Sequence, residues 1–217
     1  MVDLISDPFR AARLVLSLRR QGITDDGVLA ALETVDRGAF VSPALATMGG
    51  EDCALPILCG QSIPKPVVTA RLLKALGVSR GKEDRVLLIG AGSGYTAALL
   101  AQISRHVYAV ERYKAMVDGA RARLEELKVE NVTIRHGDGL EGLAEHGPFD
   151  RILLAGAVKT VPAVLLEQLT KHGALVAAVA SSTGEQVLRR ITPDKQISDV
   201  PMPDLLGLLR NGVAQSL

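Results

Sequence analysis

Four apolar residues that run straight into three closely spaced glycines, VLLIGAGSGY (86–95), constrain this chain more than any other stretch. An unbroken run such as VLLI predicts a strand buried on both faces. Gly90, Gly92 and Gly94 predict a tight turn, and the residues that follow predict a helix over 95–103. The next apolar run, VYAV (107–110), ends in Glu111. A strand, a glycine turn, a helix and a second strand tipped with an acid make half of a nucleotide-binding unit. Glycine lets backbone approach a ligand where a Cβ would clash, and the acid can accept hydrogen bonds from both ribose hydroxyls. The spacing is G-x-G-x-G, with Tyr95 where a dinucleotide fingerprint has its third glycine. No G-x-x-x-x-G-K-[ST] occurs. The turn therefore suits an adenosine-containing ligand without a phosphate, such as S-adenosylmethionine (SAM). A ligand-free turn accounts for the glycines alone, but less well for the glycines together with Glu111.

The same alternation continues downstream. Strands are predicted at VTIR (132–135), RILLAG (151–156), ALVAAVA (174–180) and VLRRIT (187–192), with helices over 113–127 and 162–170. This order predicts an α/β, Rossmann-like fold, with a mostly parallel central sheet and helices on both faces. An N-terminal helical extension precedes it. Amphipathic helices are expected over 8–20 and 25–35, the second capped by Thr24 or Asp25. An irregular Gly/Pro-rich segment over 36–66 is expected to be ordered and packed near the cofactor, and a helix then ends near Gly77. The expected division is residues 1–80, helical segment and covering loop, and 81–217, SAM-binding core, in one compact unit. Ligands of such sheets sit beyond the carboxyl ends of the strands. The glycine turn, Glu111 and His136-Gly137-Asp138-Gly139 converge there. Asp138 is placed to accept the adenine amino group; its other reading is a turn-forming Asp before Gly.

Composition narrows the function classes. The 217 residues carry a net charge of +1, with 3% aromatics and no Trp. That argues against a basic nucleic-acid surface or a base-stacking platform. No apolar run approaches the roughly 20 residues that span a bilayer. The N-terminus lacks a signal peptide's order of residues, so a cytoplasmic location is expected. Cys53 and Cys59 fit neither C-x-x-C nor a zinc pattern, and the four histidines form no cluster, so no metal is expected.

With those motifs in hand, the chain resembles the protein-L-isoaspartate O-methyltransferases, which use SAM to repair isomerised aspartates. LRRQGITDDGVLAALETVDRGAFV is similar to the family's opening, L-x-x-x-G-I-x-D-x-x-V-L-x-A-M-x-x-V-P-R-x-x-F-V. ALPILCGQSIPKP resembles L-P-I-G-x-G-Q-T-I-S-x-P. VLLIGAGSGYTAALLA, VYAVER, NVTIRHGDGL and GPFDRILLAGAV follow in family order. The resemblance implies cofactor contacts at Gly90, Ala91, Gly92, Ser93, Gly94, Glu111, Arg112, Asp138 and Gly139. It implies that Gln61, Ser62 and Ile63 lie over the methyl donor and the substrate. The implied partner is a protein or peptide with an isoaspartyl carboxylate, and the implied assembly is a monomer or homodimer.

Two departures stand out. The family's catalytic serine, the last residue of T-I-S, is Pro64 here, which has neither a hydroxyl nor an N–H. Ser62 is left as the candidate catalytic hydroxyl, and Lys65 follows as a cation able to attract a carboxylate. The C-terminal MPDLLGLLRNGVAQSL only loosely resembles the family's F-V-P-L ending. Pro64 keeps two alternatives in view: a same-fold methyltransferase with another acceptor, and a SAM-binding protein without turnover.

Overall fold

The computed structural model describes residues 9–78 and 83–214. Its core is a seven-stranded sheet in the order β5-β4-β3-β6-β7-β8-β9. The strands are β3 (Arg85–Ile89), β4 (His106–Glu111), β5 (Val132–His136), β6 (Phe149–Val158), β7 (Leu169–Ala180), β8 (Gln186–Ile191) and β9 (Ile197–Met202). Pairing is parallel from β5 through β7 and antiparallel for β8 and β9. A two-residue hairpin, β1 (Leu55–Pro56) against β2 (Ser62–Ile63), stands apart from this sheet.

β3 shows why the sheet is covered on both faces. Successive side chains of a strand point to opposite sides. Val86 and Leu88 enter one apolar core with α2, α3, α4 and α5, whereas Leu87 and Ile89 enter a second one around Phe149 and Leu165. The helices are α1 (Arg10–Arg20), α2 (Asp26–Thr34), α3 (Pro66–Leu76), α4 (Tyr95–Ile103), α5 (Lys114–Glu126) and α6 (Ala163–Leu166). The second face is covered by α6 and by 3-10 turns at Gly139–Glu141 and Ala144–His146.

Local chemistry sets the helix ends. Asp25 caps α2 by accepting the Val28 N–H at 3.0 Å. α3 begins with Pro66 at its first position and stops at Gly77, which takes the left-handed conformation. The helix expected over 8–20 begins at Arg10, and residue 8 lies outside the described residues. No helix among the described residues is long and apolar enough to cross a membrane.

One expected element is corrected. The helix predicted over 162–170 is a single turn, Ala163–Leu166, and by Leu169 the chain is already strand. The Phe149 N–H donates to the Gln168 carbonyl at 2.7 Å, so pairing to β6 overrides the helical propensity of this stretch. The irregular 36–66 segment holds 3-10 turns and the β1–β2 hairpin.

Candidate active site

The chain leaves the centre of the sheet at β3, runs outward through β4 to β5, then returns to β6 on the other side of β3. At such a switch point the connections part and leave a crevice at the strand tips. Register places Ile89 beside Val110 and Leu154, which brings Gly90, Glu111 and Ala155 to one level. A cavity of about 540 Å³ opens there.

The glycine turn forms the cavity's base. Gly90, Gly92 and Gly94 all have positive φ (87°, 55° and 95°), which L side chains rarely adopt. This turn brings the Gly92 N–H to Glu111 Oε2 at 2.9 Å, while Oε1 accepts the Tyr113 N–H at 3.0 Å. Glu111 is therefore clamped by backbone and nearly buried. A carboxylate offers about four lone-pair sites, so each oxygen retains capacity for a ribose hydroxyl. Ile89, Val110, Leu140 and Ala155 give the same cavity an apolar side. This donor set, an acid for two hydroxyls and a flat apolar slot with no phosphate cradle, fits SAM.

Two segments from opposite ends of the chain close the cavity. The first is the 57–65 loop, tied down by Arg37. Its guanidinium, 2% exposed, donates to the carbonyls of Cys53 (2.6 Å), Pro64 (2.9 Å), Ile63 (3.2 Å), Glu51 (3.3 Å) and Gly49 (3.5 Å). Burial lowers the Arg37 pKa from its ordinary value, partly offset by neighbouring groups. The second is the strap over 204–214. Gln186 exchanges two hydrogen bonds with Leu206 (2.8 and 2.9 Å). The Ala157 N–H donates to the Gly207 carbonyl and the Leu209 N–H to the Ala157 carbonyl. A Cβ on Gly156 would lie 2.9 Å from that Gly207 oxygen, so only glycine admits the strap this closely. Farther along, Arg112 donates to the carbonyls of Gly212 (3.0 Å) and Asn211 (3.4 Å). The two closures meet in an ion pair, Lys65 Nζ to Asp204 Oδ1 at 2.8 Å.

Gln61, Ser62, Gly90, Gly92, Glu111, Arg112 and Gly139 all line the cavity, and so does Pro64. Ile63, Ala91, Ser93, Gly94 and Asp138 are not on its lining. Ile63 points into the core from β2, and Ala91 is buried beneath the turn. Ser93 is buried, with no partner for its hydroxyl. Gly94 packs against Ala120 of α5. Asp138 caps the Leu140 N–H (2.9 Å) and accepts the Gly212 N–H of the strap (2.5 Å). Sequence reasoning missed Arg37 and Asp204. Arg37 stood inside a quoted motif, yet nothing local announces five distant carbonyls. Asp204 carries no local signal at all.

The family profile described as Protein-L-isoaspartate(D-aspartate) O-methyltransferase matches residues 10–202. The chain belongs to this family. It is 45% identical over 180 residues to the protein-L-isoaspartate O-methyltransferase of Parvibaculum lavamentivorans, covering 82% of this chain and 80% of the relative. The corresponding protein of Azorhizobium caulinodans is 42% identical over 194 residues, covering 89% and 88%. A solved structure assigned to the same family, from Plasmodium falciparum in complex with S-adenosyl-L-homocysteine, superposes with a TM-score of 0.77. It is 26% identical, with 91% of this chain and 97% of that one covered. The O-methyltransferase family match spans the glycine turn, Glu111, the 57–65 loop and Arg37. It ends at Met202, two residues before Asp204.

Proposed function

We propose that this protein transfers a methyl group from SAM to the carboxylate of isoaspartyl residues in damaged proteins or peptides. The reading also assigns the site residues and a cytoplasmic location, for which two unpaired cysteines speak. The observation that carries it is one cavity lined by the glycine turn, Glu111, Gln61, Ser62 and Lys65 together. Residues 1–80 carry the covering loop and 81–217 the cofactor-binding part, to which the strap over 204–214 adds a second cover, all in one unit.

When bound, the cofactor supplies a sulfonium methyl: a C–O bond forms to the acceptor as the S–CH3 bond breaks, and the electron pair goes to sulfur. A carboxylate with a reference pKa of about 3.9 is already ionised near neutrality, so no base has to remove a proton. The work left to the chain is alignment and exclusion of water. Glu111 takes the ribose hydroxyls. Ile89, Val110 and Leu140 take the adenine, and Asp138, just behind the lining, has for its amino group only the lone pairs that the Leu140 and Gly212 N–H groups leave. The 57–65 loop and the strap keep water from the nucleophile. Pro64 offers no donor, so the Ser62 hydroxyl orients the acceptor.

The test uses labelled SAM and two peptides that differ only in an isoaspartyl or aspartyl linkage, scored as base-labile methyl ester. Ester on the isoaspartyl peptide alone is expected. Ester on neither peptide, with cofactor binding shown by calorimetry, would overturn the acceptor assignment.

A further inference from the structure

Lys65 and Asp204 face each other at the mouth of the cavity, and both line it. The loop that carries Lys65 reads Ser62-Ile63-Pro64-Lys65, so position 64 offers no hydroxyl and a cation stands one residue later. The backbone of that cation is fixed. The Lys65 carbonyl accepts the Val68 N–H (3.0 Å) and Thr69 N–H (3.1 Å) at the start of α3, and Arg37 holds the Pro64 carbonyl at 2.9 Å. Only the side chain is left to move.

We propose that Lys65 binds the acceptor carboxylate and that Asp204 occupies its place between turnovers. This rests on the reading above. An ammonium carries three donors, and Asp204 takes one of them. Both side chains are part exposed, 39% and 30%. Solvent screens such a pair, so it adds little net stability and exchanging one carboxylate for another costs little. Arg112 and Arg210 also line the cavity; Arg112 spends donors on the Gly212 and Asn211 carbonyls of the strap, and neither is ion-paired with a carboxylate among the described residues. Lys65 is the cation that a carboxylate already seats.

The exchange also has a direction. The acceptor enters with a negative charge and leaves as a neutral methyl ester, while Asp204 keeps its charge. Before transfer the two carboxylates compete for Lys65. After transfer only Asp204 does, so the chemistry itself releases the product from Lys65. One acceptor oxygen suffices for the lysine, which leaves the other to attack the methyl carbon.

Lys65→Met and Asp204→Asn separate this role from a purely structural latch, because each breaks the same ion pair. Steady-state kinetics with the isoaspartyl peptide should show KM raised about tenfold for Lys65→Met, the scale of a lost hydrogen bond to a charged group, with a smaller effect on kcat. Asp204→Asn should leave KM at or below the wild-type value, because the internal competitor is gone. Thermal denaturation and SAM calorimetry on both variants exclude misfolding and cofactor loss, and Lys65→Arg should recover part of the KM. A KM for Lys65→Met within threefold of wild type, or a KM raised in both variants, would overturn the proposal. Wild-type protein that makes no ester on the peptide would instead sink the functional reading, so the two failures stay distinct.

Discussion

At the level of single residues, two buried polar side chains behind the site differ: the Arg37 terminal nitrogens are partnered and only its Nε is not, whereas Tyr95 has no partner at all for its hydroxyl. Arg37 is held by five backbone carbonyls, which offsets the cost of burying its charge. Tyr95 packs its ring against Phe40, centroids 5.5 Å apart, but its buried hydroxyl has no partner. Burial pushes the Tyr95 pKa well up, so the group stays neutral. An unpaired buried hydroxyl has lost its water without gaining a bond. Tyr95→Phe should therefore be neutral or stabilising by up to about 1 kcal/mol in urea denaturation. A loss of more than about 1 kcal/mol would mean that the hydroxyl has a partner. Glu111 was legible at this scale because its position after an apolar run is a local fact. Asp204 was not, because its neighbour Lys65 lies at the other end of the chain.

At the scale of elements, β3, β4, β6 and β7 were readable because burial on both faces leaves apolar runs, and β5, an edge strand with only Ile134 buried, because VTIR alternates. β9 escaped notice for the converse reason. It is an edge strand, mostly exposed, and its ISDVPM includes a proline that only an edge tolerates. The β1–β2 hairpin is too short to show a period. At the opposite end of β4 from the site, the His106 ring packs tilted against Tyr108, centroids 4.5 Å apart, and meets Thr133 Oγ1 at 2.9 Å. Burial, then the charges of Arg85 and His146, lowers the His106 pKa from 6.5. The unfolded chain then binds the proton more readily than the folded one. Stability from this group is fully present above pH 6.5 and is lost as pH falls through the lower folded value. Urea midpoints measured from pH 7.5 down to 5 should fall, and His106→Gln should flatten that part of the decline. An unchanged slope in the variant would remove His106 from the account.

At the scale of the whole molecule, the cavity joins segments from both ends of the chain, so cofactor binding should stabilise the fold as a unit. SAM at 100 times its Kd adds about 2.7 kcal/mol. For a chain of this size that raises the Tm by roughly 5 to 10 °C. Calorimetry should show this shift in the wild type and a much smaller one at the same SAM concentration in Glu111→Ala. Equal shifts in both would place the adenosine elsewhere. The closing ion pair spans 139 positions of sequence. On a ribosome, the glycine turn and Glu111 emerge and can begin to pair β3 with β4 while Asp204 is still untranslated. A chain released early, or clipped ahead of the strap, would keep the glycine turn and Glu111 and lose both the strap's share of the cavity lining and the partner that seats Lys65. The carboxylate that takes Lys65 back after transfer is thus the last part of this pair to be synthesised and the first that a protease removes.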